Sequence, residues 1–380
     1  MPVTDENLRG SKDLRQRLVE LTRKLILIPS TWDRPDEIDR CMEFVINHTE
    51  IPDKVTVHRF REHDALSTVL LPKKIQRPDV MLFGHLDVVS LPEGTEYRSS
   101  IRDGRLYGPG AGDMKGELAI LLEIFRVFHE RSPGVSLGLA VTSDEERGGT
   151  YGTRFLMEEF GLRCGTAIVP DAGSVNDIAV EEKGTLHLQI RAKGTAGHAC
   201  RPWLADNPMD RIITAVNRIR DYFDGLKKSD DEHWYPTCAF TVIETSNRVP
   251  NRIPNTAEMI CDVRFPPPFT LDQMMSTIRG FLDDQMEMEP LVSAEPTRLT
   301  PDPLYLEVTE EITGKPVRLL REHGGSDARY ISPYGIPVIM SRPFIGNLHT
   351  DIEWIDLASM ETLYRIYERY LELKLNISRP

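Results

Sequence analysis

His85 and Asp87 stand two residues apart at the end of Val80-Met81-Leu82-Phe83, an apolar run bounded by Pro78 and Gly84. So short a run reads as a strand buried on both faces of a parallel sheet. Alternation by two points both polar side chains into the space beyond the strand's carboxyl end, where open α/β sheets bind their ligands. Alone, such a pair fits a simple hydrogen-bonded junction better than a metal corner. The pattern recurs, however. Residues 135–142 form a second apolar strand, ending in Ser143-Asp144-Glu145-Glu146, and residues 166–169 a third, ending in Pro170-Asp171. Three consecutive acids repel one another unless a cation or a helix N-terminus compensates them. Ahead of them, Gly108-Pro109-Gly110-Ala111-Gly112-Asp113-Met114-Lys115-Gly116 sets a further acid in a glycine bend before an apolar-striped helix over 117–128. The bend lacks a Gly-Lys-Ser/Thr end and Asp113 would repel an anion, so it is no phosphate loop. His and carboxylates delivered together, with no thiolate, suggest a divalent-cation site suited to zinc, cobalt or manganese.

The elements that must position these groups follow from periodicity. Apolar residues at helical spacing mark helices over 14–28 and 35–46, and strand signals cover 55–60 and 67–71. Near Lys183 the character changes: a strand over 185–192, an amphipathic helix over 208–223, strands over 237–244 and 257–265, a helix over 271–283 and a strand near 291–294. That order, βαββαβ, is the split ferredoxin-like arrangement. The expected fold is therefore α/β. A domain with a mostly parallel central sheet comprises 1–183 and 296–380, interrupted by a ferredoxin-like α+β domain at 184–295. After the insertion come Gly324-Gly325-Ser326-Asp327-Ala328-Arg329-Tyr330, a strand over 336–340, Asn347-Leu348-His349-Thr350-Asp351-Ile352-Glu353 and a closing helix over 357–373. A chain of 380 residues is too long for one ordinary core, which also argues for two domains.

With 40% hydrophobic and 28% charged residues the composition is that of an ordinary globular protein. The 46 basic and 59 acidic residues leave a net charge of −13, which repels phosphate backbones and anionic headgroups. Neither nucleic acid nor a membrane is an expected partner. Cys41, Cys164, Cys200, Cys238 and Cys261 are scattered without a Cys-x-x-Cys pair, which fits a reducing compartment. The N-terminal residues lack a basic stretch followed by an apolar core, so a cytoplasmic location is expected.

Taken in order, these motifs resemble those of the zinc-dependent exopeptidase and deacylase family of acetylornithine deacetylase, succinyl-diaminopimelate desuccinylase, aminoacylase and glutamate carboxypeptidase, over nearly the whole chain. The resemblance implies a catalytic domain and an inserted dimerisation or lid domain. It also implies two zinc ions, with cobalt or manganese as substitutes. His85, Asp113 and Asp171 would hold one; Asp113, Glu146 and His349 would hold the other, with Asp113 bridging. Asp87 would accept the second ring N–H of His85. Glu145 would be the general base, taking a proton from water and passing it to the leaving amine. His198, in Gly197-His198-Ala199, would stabilise the oxyanion from the partner subunit of a homodimer. Asn251, Arg264, Gly325 and Ser326 fall where the family grips a substrate carboxylate.

Two departures bear on substrate. Asp171 stands where the deacylases and carboxypeptidases usually have Glu, a choice more typical of the di- and tripeptidases. Gly325 stands where the desuccinylases have a threonine that helps bind substrate. The implied activity is cleavage of the amide bond of a small-molecule substrate, an N-acyl amino acid or a short peptide. A peptidase acting at a free amino end stays open. So does a non-catalytic, metal-stabilised dimeric scaffold, although every expected catalytic position is filled.

Overall fold

The computed structural model describes residues 5–229 and 232–378, with side chains described from residue 13. Of the N-terminal residues behind the expected cytoplasmic location, 1–4 lie outside the described residues. The chain divides into two compact units. One runs to Val180 and resumes over Leu299–Arg321 and from Ser326; the other comprises Glu181–Arg298 with Glu322–Gly325.

In the first unit, α1 (Asp5–Ile26) starts well ahead of the expected residue 14, because the apolar repeat that reveals it begins only at Leu14. Then come α2 (Pro35–Thr49), β1 (Val55–Glu62), β2 (Ala65–Pro72), β3 (Val80–His85), α3 (Gly116–Arg131), β4 (Leu137–Thr142) and β5 (Thr166–Ile168). The second unit carries β6 (Gly184–Lys193), α4 (Pro208–Gly225), β7 (Thr237–Glu244), β8 (Thr256–Phe265), α5 (Leu271–Arg279) and β9 (Met286–Ala294). The chain then returns to the first unit with α6 (Pro303–Thr313), β10 (Val338–Ile339) and α7 (Leu357–Lys374).

The central sheet of the first unit has the order β1-β2-β4-β3-β5-β10. Its β3 pairs in parallel with β4 and β5, and β5 with β10, while β2 opposes its neighbours β1 and β4. Five of the six strands therefore run in one direction. Burial on both faces explains the unbroken apolar runs. Val80 and Leu82 of β3 join the core built with α1, α2, α3 and α7, whereas Met81 and Phe83 join the core on the opposite face with Leu156, Met157 and Ile331. The alternation that divides β3 between two cores also fixes the direction in which its last residue, His85, points.

In the second unit the sheet order β7-β8-β6-β9 is antiparallel throughout, and α4 and α5 cover it through Ile212, Val216, Ile219, Met274 and Ile278. This is the expected ferredoxin-like order. Strand β9 starts earlier than the expected residue 291 because Pro290 hides it in the sequence. On an edge strand a missing N–H is tolerable, and here the register shifts between Pro290 and Val292. Among the described residues no helix is long and apolar enough to cross a membrane.

A buried ion cluster ties three helices of the first unit together. Glu123 of α3, 2% exposed, accepts hydrogen bonds from Arg17 Nε of α1 at 2.7 Å and from Arg126 Nη2 at 2.9 Å, and faces His48 of α2 at 3.8 Å. Burial works to raise its pKa, but His48, Arg126 and Arg17 outweigh it and hold the carboxyl at about 2. A depressed pKa contributes stability that is complete above the unfolded value and lost as pH falls through the folded one. Discounted for its partly exposed cations, the contribution is about 2 kcal/mol. We expect Glu123→Gln to lower the urea midpoint at pH 7 and to flatten the fall of stability between about pH 4.5 and pH 2. Equal acid sensitivity of variant and parent in that window would show that the cluster contributes nothing.

Candidate metal centre

His85, Asp113, Glu145, Glu146, Asp171 and His349 meet in the first unit, brought there by three strand ends, a glycine bend and a loop. His85 ends β3, Glu145 and Glu146 turn out of the end of β4, and Asp171 follows β5 by three residues. These are neighbouring strands pointing the same way, so their carboxyl ends open on one space. Asp113 comes from the bend before α3, and His349 from a loop where it adopts a φ of +61°.

The donors form two groups, His85–Glu145–Asp171 and Asp113–Glu146–His349, each with ligand atoms within 4.8 Å of one another. Asp113 stands between them, its Oδ1 3.3 Å from His85 Nε2 and its Oδ2 3.5 Å from His349 Nε2. His349 Nε2 is also 3.5 Å from Glu146 Oε2. Asp87 takes the ring N–H of His85 through its backbone carbonyl, and its carboxylate Oδ1 has no hydrogen-bond partner among the described residues. The nearer acceptor for Nδ1 is the Asp87 carbonyl oxygen, at 3.0 Å, with carboxylate Oδ1 at 3.5 Å. The other carboxylate oxygen, Oδ2, accepts the Glu146 N–H at 3.1 Å, so Asp87 orients both a His donor and a Glu donor.

The electrostatics of the cluster favour a cation. Burial, reinforced by Asp113, pushes Glu146 up to about 8 and Asp171 up to about 7, and burial with Asp171 lifts Glu145 well above the carboxylate range. Asp113 alone is held low: burial opposes its charge, but His349 and His85 prevail. Asp113 in turn raises His349 to about 9, while His85 stays well above its ordinary value because Asp113 and Asp87 overcome burial. Within this cluster His85 Nε2 and Glu146 Oε1 are buried without a hydrogen-bond partner. Acids crowded in a low dielectric, with unpartnered lone pairs beside them, are the setting in which a bound cation lowers the energy. The nitrogen-and-oxygen donor set fits zinc, cobalt or manganese.

The bend is built for its task. Gly110 has a φ of +70°, and a Cβ there would lie 2.4 Å from Val88 Cγ1; a Cβ on Gly112 would lie 2.8 Å from Ile345. Sequence reasoning passed over the groups that hold these segments. Lys115 Nζ, fully buried, donates to the Leu25 and Ile28 carbonyls at 2.9 and 2.5 Å. Asp144 Oδ2 accepts the N–H groups of Tyr151 and Gly152, closing the turn that carries Glu145 and Glu146. Arg342 Nη1 donates to the Asp171 carbonyl at 2.9 Å. Glu353 accepts from the bend itself, through the N–H groups of Gly110 and Gly112. A lone charged residue in a loop has no period, and only the placing of Lys115 within the glycine motif and of Glu353 four residues past His349 could have drawn attention to them.

Ser326 also belongs to the first unit, where it is 2% exposed and its Oγ accepts the Ala328 N–H. The remaining residues singled out lie in the second unit. There Gly197–His198 pairs with Arg252–Ile253, the Ala199 N–H donates to the Asn251 carbonyl, and His198 Nδ1 accepts the Cys200 N–H at 3.2 Å. Arg264 spends its guanidinium on Asp262, by Nε at 2.6 Å and Nη2 at 3.0 Å, and on Thr185 Oγ1 at 2.8 Å. Gly325 closes the segment Glu322–Gly325.

Known proteins share this organisation. The model of Peptidase family M20/M25/M40 matches residues 81–373. The succinyl-diaminopimelate desuccinylase of Alkalilimnicola ehrlichii is 30% identical over 324 residues, covering 78% of this chain and 84% of its own length. That of Nitrosococcus oceani is 30% identical over 328 residues, covering 79% and 85%. Among solved structures, the M20 family metallo-carboxypeptidase of Sulfolobus solfataricus superimposes with a TM-score of 0.75 at 15% identity, over 94% of this chain and 99% of its own. Human carnosine dipeptidase 1 does so with a TM-score of 0.75 at 14% identity, over 97% and 98%. Strand order, clustered donors and sequence similarity lead to one assignment: the chain belongs to the metal-dependent peptidase family M20/M25/M40, hydrolases of amide bonds.

Proposed function

We propose that the chain hydrolyses the amide bond of a small N-acyl amino acid. The observation that carries this reading is the meeting of the two donor groups, with Glu145 among them, in one unit. Two zinc ions, replaceable by cobalt or manganese, would be held by His85, Asp113 and Asp171 and by Asp113, Glu146 and His349, with Asp113 shared. Bound there, such ions would supply Lewis acidity to the scissile carbonyl and would bring the pKa of an attacking water toward neutrality. Glu145 takes the proton of that water on its carboxylate and delivers it to the leaving amine nitrogen. Asp87 keeps His85 and the Glu146 backbone oriented while this happens.

Further residues carry the rest of the reading. His198 supplies a hydrogen bond to the oxyanion of the tetrahedral intermediate, from the partner in a homodimer. The exposure of Trp203 and Leu204, 76% and 67%, in the turn that follows supports a second copy covering this face. Asn251, Gly325, Ser326 and Arg264 grip a substrate carboxylate, Arg264 by exchanging Asp262 for it. The desuccinylase relatives, at 30% identity, support deacylation. Asp171 favours the second reading, a di- or tripeptidase requiring a free amino end. A non-catalytic metal-binding dimer is the remaining rival.

The test is a panel of dipeptides, tripeptides and N-acetyl, N-formyl and N-succinyl amino acids offered to zinc- or cobalt-loaded protein. Blocked substrates should be cleaved, chelation should abolish turnover, and zinc or cobalt should restore it. Cleavage confined to free amino ends would make it a peptidase, and inactivity across the panel would turn the scaffold from a remote rival into a serious one. Glu145→Gln should retain the wild-type metal content while kcat falls by about 10²–10⁴-fold, or about 3 kcal/mol or more of barrier. Near-parental turnover in that variant would remove Glu145 from the chemistry.

A further inference from the structure

We infer that Glu353 is a positioning residue of the metal centre, its carboxylate tying the glycine bend of Asp113 to the loop of His349. The inference rests on the metal-dependent reading above and concerns a residue to which that reading gives no part.

Glu353 is 2% exposed, and a carboxylate so buried is costly unless its oxygens are hydrogen-bonded. The hydrogen bonds its oxygens accept come from the bend. Oε1 accepts the Gly112 N–H at 2.7 Å, Oε2 accepts the Gly110 N–H at 3.3 Å, and the Glu353 carbonyl accepts the Gly108 N–H at 2.9 Å. Three alternate N–H groups of one short segment therefore hang on a single residue. Neither glycine of the carboxylate pair has room for a Cβ, which would meet Val88 at Gly110 and Ile345 at Gly112, so the bend is packed tightly on its other sides as well.

The same residue closes the loop on the other side. Thr350 Oγ1 donates to the Asn347 carbonyl at 2.6 Å, Asn347 Nδ2 donates to the Ile352 carbonyl at 3.3 Å, and the Glu353 N–H reaches the Thr350 carbonyl at 3.4 Å. His349 is thereby fixed relative to Glu353, and Asp113 is fixed relative to it through the bend. Gly110, Asp113, Glu146, His349 and Glu353 line one cleft. A neutral amide could have accepted an N–H of the bend without repelling Asp113. A carboxylate there adds negative charge behind the donors, and that charge is better compensated when a cation sits in front of them.

The test uses Glu353→Gln and Glu353→Ala in the full chain, read by cobalt and zinc competition titrations, the visible absorption of bound cobalt and the unfolding midpoint of the metal-free protein. The expected result is an unchanged metal-free midpoint with a 10–100-fold weaker affinity for one of two ions and an altered cobalt spectrum in the alanine variant. Glutamine, which keeps one oxygen to accept one N–H, should fall between alanine and the parent. Parental affinity and spectrum in both variants would overturn the inference. So would a loss of affinity matched by an equal fall in metal-free stability in both, since Glu353 would then be a scaffold residue only. A parental chain that takes up no divalent ion would instead overturn the metal-dependent reading, and the role of Glu353 with it.

Discussion

Like charges held close together in a low dielectric are the constraint on which this molecule is arranged. Asp113, Glu145, Glu146 and Asp171 are brought to one space with two histidines as their immediate counter-charges, and their burial pushes all but Asp113 toward the protonated form. Such a cluster would disperse if its supports were soft. They are not: β3 and β4 are buried on both faces, and their parallel pairing leaves little freedom at the strand ends.

Rigidity reaches the loops through hydrogen bonds made mainly to backbone groups. Ser30 Oγ donates to the Leu86 carbonyl and the Val88 N–H to the Ser30 carbonyl, which bracket the Asp87 turn from the end of α1. Lys115 holds that same end of α1 from the side of the glycine bend. Tyr330 Oη and Arg329 Nη2 both donate to the Gly148 carbonyl, just past Glu146. The segments that carry the candidate donors are thus held by neighbours outside the two donor groups, and outer contacts of this kind orient the side chains of a site.

The family assignment and the site carry different kinds of information. Fold neighbours at 14–15% identity share the architecture, and architecture alone does not choose among substrates. What distinguishes one member from another must lie in the loops and in the second unit. There Arg264 is engaged by Asp262 and His198 stands exposed on a short strand pair.

The chemistry of this protein was legible where it was written in local pattern. An apolar run ending in His-x-Asp, two further runs ending in acids and a glycine bend with its own acid identify strands, direction and donor types, because burial on both faces demands unbroken apolar residues and alternation by two fixes where the next side chain points. The βαββαβ order was legible for the same reason. Hidden from pattern were the start of α1, where the apolar repeat is absent, and the first half of β9, where Pro290 reads as a break until the edge position is known. Tertiary structure alone decided that the carbonyl of Asp87 stands nearer to His85 than its carboxylate does, and that Arg264 is paired with Asp262. It alone placed Glu353 beneath the bend of Asp113. These are contacts between residues far apart in sequence or between atoms of one residue, and neither leaves a periodic trace, because the free energy that selects them arises only when separate segments are packed together.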